Sequence, residues 1–497
     1  MGRVIQSGTP CTHAAVGGAL LGLLCVGCEL IGAIDDRRLP ARNTGGAGGE
    51  LGCGQLASDA SDVWVDAAAE VGGPGTAECP LRSISDGVAA LAYPARPGLK
   101  TLHVAAGLYD AEPLPIVLDR GIVIEGAGQG VTVVRGVGDW DPGPVGGNGG
   151  GAHPVTFAVN ARDESVVIRG LSILPPAEQV HSVAVMCIAG NAPQDDPLVE
   201  PFPEANLVLD NVAIPPGHEA NVWIVNTSDS GCNAKIVGSF IDGGEHVGVL
   251  AYGCGFDHSM GPRVALQLGD GTEAGRNEIA GSYAAIASWG CVEHLRIEGN
   301  DITGKVGIHI DEYTTYADPS LGPVIAGNWI HGGTEAGILL SDLDTITVTL
   351  TDNVIERFRG KIGFPPATGV TSLGARLYAR GNSITGNDIG VRISQDAALK
   401  AELDFGTDAN PGLNVIRCNS VDSAQQGAGF DLGFEGPYLT DDLVHFAGNT
   451  WDHAAPTMVD ASDWPNGTDI ARPAAIPAIH AAGAVSGSGA CPAGYVP

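Results

Sequence analysis

Hydrophobic and polar positions alternate in short bursts along most of the chain, and the bursts recur. The pattern is clearest in Leu295 to Asp311, Leu-Arg-Ile-Glu-Gly-Asn-Asp-Ile-Thr-Gly-Lys-Val-Gly-Ile-His-Ile-Asp. A short alternating strand runs into Gly299-Asn300, an apolar residue, Ile302, is followed by Gly304, and a second alternating strand starts at Gly307. The Asn position returns at Asn211, Asn277, Asn300, Asn328, Asn353 and Asn382, with Ser239 in the same role, and from Asn277 onward the steps are 23, 28, 25 and 29 residues. The second strand keeps a parallel register, starting at Gly248, Ala285, Gly307, Gly337, Gly369 and Gly390. A period of roughly 20 to 50 residues marks a solenoid, propeller or array. Short period-2 strands broken by Gly and Asn, with no helical stretch between them, select the all-β solution, a right-handed parallel β-helix. Each coil is then one turn whose strands stack on the next at about 4.8 Å. In that phase Ile308, Ile310, Ile338, Leu340, Val391 and Ile393 point inward. Asn suits the sharp bend because it tolerates left-handed backbone and bonds locally to the main chain.

The ends of the chain read differently. Leu81, Ile84, Val88 and Leu91 recur at helical spacing and predict an amphipathic N-terminal helix that caps the open end of the solenoid, where strand edges and core would otherwise be exposed. Residues 139 to 154 and 189 to 205 are rich in Gly, Pro and Asp and read as loops. Residues 456 to 497, rich in Ala and Pro, carry no repeat and read as a C-terminal tail. Met1 to Cys28 has the shape of a secretion signal, with Arg3 as a sparse basic start and an apolar core from Val16 to Val26 that is too short to span a membrane. Residues 29 to 60 have a linker composition. The expected organisation is therefore a signal (1–28), a linker (29–60), a cap with the first coils (61–130), the β-helix coils (131–455) and a tail (456–497).

Two resemblances add to this. Leu24-Cys25-Val26-Gly27-Cys28 resembles a bacterial lipobox, with Cys25 where that motif usually has Leu. The resemblance implies lipidation at Cys28, and hence an extracytoplasmic protein that is an outer-membrane lipoprotein or is secreted, touching membrane only through an N-terminal lipid anchor. Val63-Trp64-Val65-Asp66, Gly73-Pro74-Gly75-Thr76, Cys79-Pro80-Leu81 and Ala106-Gly107-Leu108-Tyr109 follow one another as strand, turn, helix start and strand-ending turn. Over residues 61 to 130 this order resembles the opening of the "domain of unknown function 1565" family of secreted, pectin-lyase-like β-helix proteins. The departures are Ala67 to Val71, where the family has an Asp-rich turn, and Ala106-Gly107-Leu108-Tyr109 itself, where the family's turn is Pro-Gly-Thr-Tyr-like.

Charge narrows the partners. Lys and Arg total 25 against 57 Asp and Glu, a net charge of −32. Nucleic acid, which is held by neutralising phosphates, is disfavoured, and so are polyanionic glycans. Of eleven Cys, eight follow the signal region, and an even count after a secretion signal indicates disulfides. Cys254 and Cys291 sit at the same offset after successive second strands, so stacking at about 4.8 Å would bring them within disulfide range.

Motifs for serine hydrolases, nucleotide phosphates, dinucleotides and zinc proteases are missing from the sequence. The best constellation is the outward side of the second strands. If Ile308 and Ile310 point in, His309 and Asp311 point out. One coil later Ser341 falls beside Asp311 and Asp342 near Glu312, with Asp344, Arg392 and Asp396 further along. His309, Asp311 and Asp342 are the candidate catalytic residues, two carboxylates on neighbouring coils being a general acid and base, and Trp289 on the same side is a candidate sugar platform. No cofactor motif is present; calcium is the ion that such an acidic face would take. Three functions remain: a cell-surface β-helix with a binding or structural role toward a polysaccharide or another surface component; a carbohydrate-active enzyme, glycoside hydrolase or polysaccharide lyase, working along this face; and an adhesin-like spacer.

Overall fold

The computed structural model describes residues 53–497 apart from 58–59, 93–99, 111, 113–114, 137–138, 141–152, 162–163, 177–181, 189–204, 218, 226–231, 254–263, 291, 312–321, 342, 344–345, 362–363, 395–402, 420–428, 436–443, 454, 461–467, 473–478, 480, 488–490 and 492–497.

Most coils carry three strands rather than two, while the coil of Val292–Glu298 and Asp301–Asp311 carries two. The coil Val324–Ala326, Trp329–His331, Ala336–Ser341 is followed by Thr347–Thr351, Val354–Glu356, Thr368–Leu373, and every strand pairs in parallel with its counterpart. The Ile302 segment, which the sequence pattern left between two strands, belongs to one continuous strand, Asp301–Asp311. This strand and Glu278–Trp289 cross two faces and join them into a single 25-stranded sheet, opposite a sheet of 13 strands. The chain is thus a right-handed parallel β-helix. The inward phase is as expected: Ile308, Ile310, Ile338, Leu340, Val391 and Ile393 are all buried in one continuous core.

The bend after the first strand works differently from the sequence reading. The left-handed residue is the one before Asn: Gly299 has φ 71° and Gly327 φ 62°, a region where glycine escapes the Cβ clash. The Asn itself is buried and bonds across coils. Asn300 gives Nδ2 to Asn328 Oδ1 at 2.9 Å, Asn328 to Asn353 at 3.0 Å, Asn353 to Asn382 at 2.9 Å and Asn382 to Asn414 at 2.9 Å. Each Oδ1 also accepts the backbone N–H of the preceding rung, as Asn328 Oδ1 does from Asn300. The ladder starts at Ser239, whose N–H bonds Asn277 Oδ1, and runs on to Asn449. Asn211 is not a rung. It holds the left-handed place at φ 53°, and the rung position is Val212, whose N–H reaches Ser239 Oγ. Asn and Gly look alike in a local pattern because both accept positive φ, so the register slipped by one there.

The helix Ile84–Leu91 buries Ile84 and Leu91 against the first strands. It starts at Ile84 because Ser83 caps it, taking the Asp86 N–H at 3.0 Å, while Leu81 lies outside it, bridged to Val65. The buried carboxylate of Glu112 takes the N–H groups of Ile84 and Ser85 at 2.6 and 3.0 Å. At the other end the coils continue past residue 455. Thr468–Arg472 pairs with Phe430–Glu435 and Val485–Ser486 with Thr450–Trp451. The low-complexity composition hid these strands, of which Ile470 alone contributes a large apolar side chain to the core.

Disulfides join Cys53 to Cys79, Cys187 to Cys232 and Cys418 to Cys491. The first ties the end of the expected linker to the globular part. Cys28, Cys254 and Cys291 lie outside the described residues, although Tyr252 and Trp289, two residues before the latter pair, stand in register. No helix among the described residues is long and apolar enough to cross a membrane.

Candidate functional site

Strand register places the predicted outward residues. His309 stands between Ala287 and Leu339 on neighbouring coils, and Asp311 between Trp289 and Ser341. The outward phase of both, and Ser341 as the neighbour of Asp311, are as the alternation required. Asp342, Glu312, Asp344 and Asp396 fall outside the described residues. Arg392 is three coils on from His309 and binds Glu435 at 2.7 Å.

The environment of this face differs from a solvated acidic strip. Leu250, Ala284, Ala287, Val306 and Ala336 on the same outward side are buried and form their own apolar cluster with Trp223, Tyr283, Trp289 and Leu339. In the earlier coils Val155, Val183, Met186 and Val225 do likewise. The signal was present in the sequence: Val183–Cys187 and Val247–Tyr252 read Val-Ala-Val-Met-Cys and Val-Gly-Val-Leu-Ala-Tyr, and unbroken apolar runs mark strands covered on both faces.

His309 is 8% exposed within this cluster. The rings of Tyr283 and Trp289 stand edge-on to it, with centroids 6.3 and 6.4 Å away, and Tyr252 is edge-on to Trp289 at 6.5 Å. Nε2 lies 3.4 Å from Ser341 Oγ. Among the described residues Nδ1 has no hydrogen-bond partner, and neither does Asp311 Oδ1, although both atoms are buried. Lys305 pairs with Glu335 at 2.7 Å and sits 6.0 Å from the Tyr283 ring centre. Burial pushes the His309 pKa down, against the opposing pull of Asp311 and Glu335. The ring is therefore a neutral imidazole at neutral pH, one nitrogen a donor and the other an acceptor.

This has a consequence for stability. In the unfolded chain His309 takes up a proton below about pH 6.5, whereas in the fold it resists protonation to lower pH. Stability from this group is complete above that value and is lost as the pH falls toward the lowered folded pKa. His309→Gln is expected to remove this part of the acid sensitivity. Urea midpoints of wild type and variant across mildly acidic pH check it, and parallel pH profiles would show that the folded ring titrates normally.

A cleft of about 720 Å3 lies elsewhere, beside the capping helix, lined by Leu81, Arg82, Asp86, Leu108 and Tyr109 among others.

Residues 285–458 match a family model described as a protein of unknown function, DUF1565. The match falls on the coils that carry the His309 ladder rather than on residues 61 to 130, where the opening motifs resemble that family. No curated protein matches the chain. Solved structures similar to it include the A-module of the mannuronan C-5 epimerase AlgE4 from Azotobacter vinelandii, at 13% identity over 78% of this chain and 91% of that one, TM-score 0.42. Pectin methylesterase PemA from Erwinia chrysanthemi matches at 11% identity over 59% of this chain and 89% of that one, TM-score 0.35. A GH136 lacto-N-biosidase from Eubacterium ramulus matches at 12% identity over 68% and 64%, TM-score 0.36. At these identities the likeness concerns the fold alone.

Proposed function

We propose that this protein binds a neutral polysaccharide outside the cytoplasm, at the outward face formed by Trp289, His309 and Asp311. The observation that carries this reading is the pairing of aromatic edges with unspent polar atoms. Tyr252, Tyr283 and Trp289 supply apolar ring surface, and between them His309 Nδ1 and Asp311 Oδ1 are without protein partners among the described residues. A sugar presents the complement, C–H faces for the half-buried rings and, once the two buried polar atoms are uncovered, hydroxyls for them. The net charge of −32 favours a neutral glycan over a polyuronate. The three disulfides among the described residues support an oxidising, extracytoplasmic setting.

One observation favours a second reading, a carbohydrate-active enzyme. His309 stands near the Asp311 carboxylate on one strand and keeps an unprotonated ring nitrogen at neutral pH, the form a general base needs, although burial makes it a weak one. Both readings are tested together on a panel of neutral glycans. Trp289→Ala and Asp311→Ala are expected to weaken binding about tenfold or more, which corresponds to about 1.4 kcal/mol. Turnover abolished by His309→Gln with binding retained would select the enzyme. Binding by both variants at wild-type strength would remove this face from consideration.

A further inference from the structure

The C-terminal coils bring three carboxylates together, two of them buried and one half-buried, far along the chain from the His309 face. Strand register pairs Phe430 with Thr468 and Leu432 with Ile470, so Asp431 and Asp469 occupy equivalent steps of adjacent coils. In the four coils before them the same step is Gly307, Gly337, Gly369 and Gly390. Asp431 and Asp469 are each 1% exposed. Asp452, which follows the buried Trp451, completes the group, and one oxygen from each of the three lies within 4.8 Å of the others.

Two of the three are already well supplied with donors. Asp469 accepts the N–H groups of Asp452, His453 and Thr457, the Thr457 hydroxyl at 2.7 Å and His453 Nδ1 at 2.8 Å. Asp452 accepts the Cys418 N–H at 2.9 Å and Arg417 Nε at 3.4 Å. Asp431 is the exception. Its Oδ1 takes the N–H and Nδ2 of Asn419 at 3.3 and 2.9 Å, but its Oδ2 is buried with no partner among the described residues.

The reason lies in a second side-chain ladder. Phe358 N–H bonds Asn387 Oδ1, and Asn387 gives Nδ2 to Asn419 Oδ1. Asn419 in turn gives Nδ2 to Asp431. The next rung should donate onward. At Asp431 the donating amide is replaced by an oxygen, and the groups around it are carboxylates. The Asp431 carboxylate thus stands together with two others, its Oδ2 without a donor among the described residues.

We propose that Asp431, Asp452 and Asp469 hold one hard divalent cation of the calcium class, which locks the C-terminal segment onto the coils. Three oxygens no more than 4.8 Å apart lie within about 2.8 Å of a common centre, a few tenths of an ångström from the roughly 2.3 to 2.6 Å of calcium–oxygen bonds. Cys418 and Cys491 border the group but are joined to each other, so no thiolate is available for a softer metal.

The test uses the whole folded protein. Chelator-treated wild type is expected to bind one calcium per chain in equilibrium dialysis and to melt at a higher temperature with calcium than with chelator. Asp431→Asn should lose both the ion and the calcium-dependent rise, while Asp311→Ala should keep both, which separates this site from the glycan face. A proton shared by the carboxylates makes the opposite prediction. Asn at 431 keeps the acceptor for Asn419 and supplies the missing donor, so the variant would melt at or above wild type with or without calcium. That result, or a failure of wild type to bind calcium, magnesium or manganese, or calcium retained undiminished by Asp431→Asn, overturns the proposal.

Discussion

Replacing Asn328 with leucine is expected to cost about 4 kcal/mol of stability, although the residue touches no candidate ligand site. Asn328 is 1% exposed and serves both neighbouring coils. Its Oδ1 accepts the Asn300 N–H and Nδ2, each at 2.9 Å, and its Nδ2 donates to the Ile297 carbonyl at 2.7 Å and to Asn353 Oδ1 at 3.0 Å. Leucine has a similar volume, so the cost is polar rather than steric. The Asn300 amide loses the acceptor that buries it, at about 1 to 3 kcal/mol for an orphaned donor, and three further bonds go at about 1 kcal/mol each. Asn300 Nδ2 keeps the Leu268 carbonyl and Asn353 Oδ1 keeps the Asn328 N–H, which holds the total near the lower end. Urea unfolding of wild type and variant measures the difference. Asn328→Asp is the sharper companion, because it retains the acceptor and puts a second oxygen against Ile297 and Asn353. Equal midpoints for all three proteins would mean that water, and not the ladder, satisfies these amides.

The ladder also marks where sequence reading succeeds and where it stops. Gly299-Asn300 and its repeats are visible because the bend is local, and the alternation Ile308, His309, Ile310, Asp311 is enough to assign inside and outside. Spacing alone therefore placed Ser341 beside Asp311. The purpose of the Asn was not visible. Its partners are 23 to 38 residues away, and a turn Asn and a ladder Asn are the same letter. The recurrence at coil spacing was the available clue, since a turn needs only some residue that tolerates positive φ, as Asp352 and Leu413 do in this chain. The burial of His309 was missed for another reason. Outward from a coil is not the same as outward to water, because whether a face is covered depends on more than its own strand. The continuous apolar runs Val183–Cys187 and Val247–Tyr252 carry that information, which is weakest in the alternating strand at His309. The group of Asp431, Asp452 and Asp469 had no sequence signal at all: its members come from different strands and turns, and only the stacking of coils brings them together.

Gly337→Ala is expected to destabilise the protein by about 3 kcal/mol, the upper part of the range for overpacking a filled interior. Its φ is not in the left-handed region, so backbone preference is not the cause. A Cβ at Gly337 would lie 2.5 Å from the Gly369 carbonyl oxygen on the next coil, 2.5 Å from Ile355 Cγ2 and 3.1 Å from Phe358 Cε2. The carbonyl belongs to a strand hydrogen-bonded into the sheet and cannot turn aside, and the isoleucine and phenylalanine are core residues at 0% exposure. Gly307 meets the same geometry, with the Gly337 oxygen and Ile330 Cγ2 at 2.5 Å each. Ala285, one coil before Gly307, accepts a Cβ at this step, so the restriction comes from what the later coils pack beside it. Gly54→Ala is the control: nothing among the described residues lies within 4 Å of its added methyl, and its stability should stay within about 0.5 kcal/mol of wild type. If Gly337→Ala unfolds at the wild-type urea midpoint, the coils can separate locally at little cost. The glycine column would then reflect the turn that precedes each strand instead of the closeness of the stack.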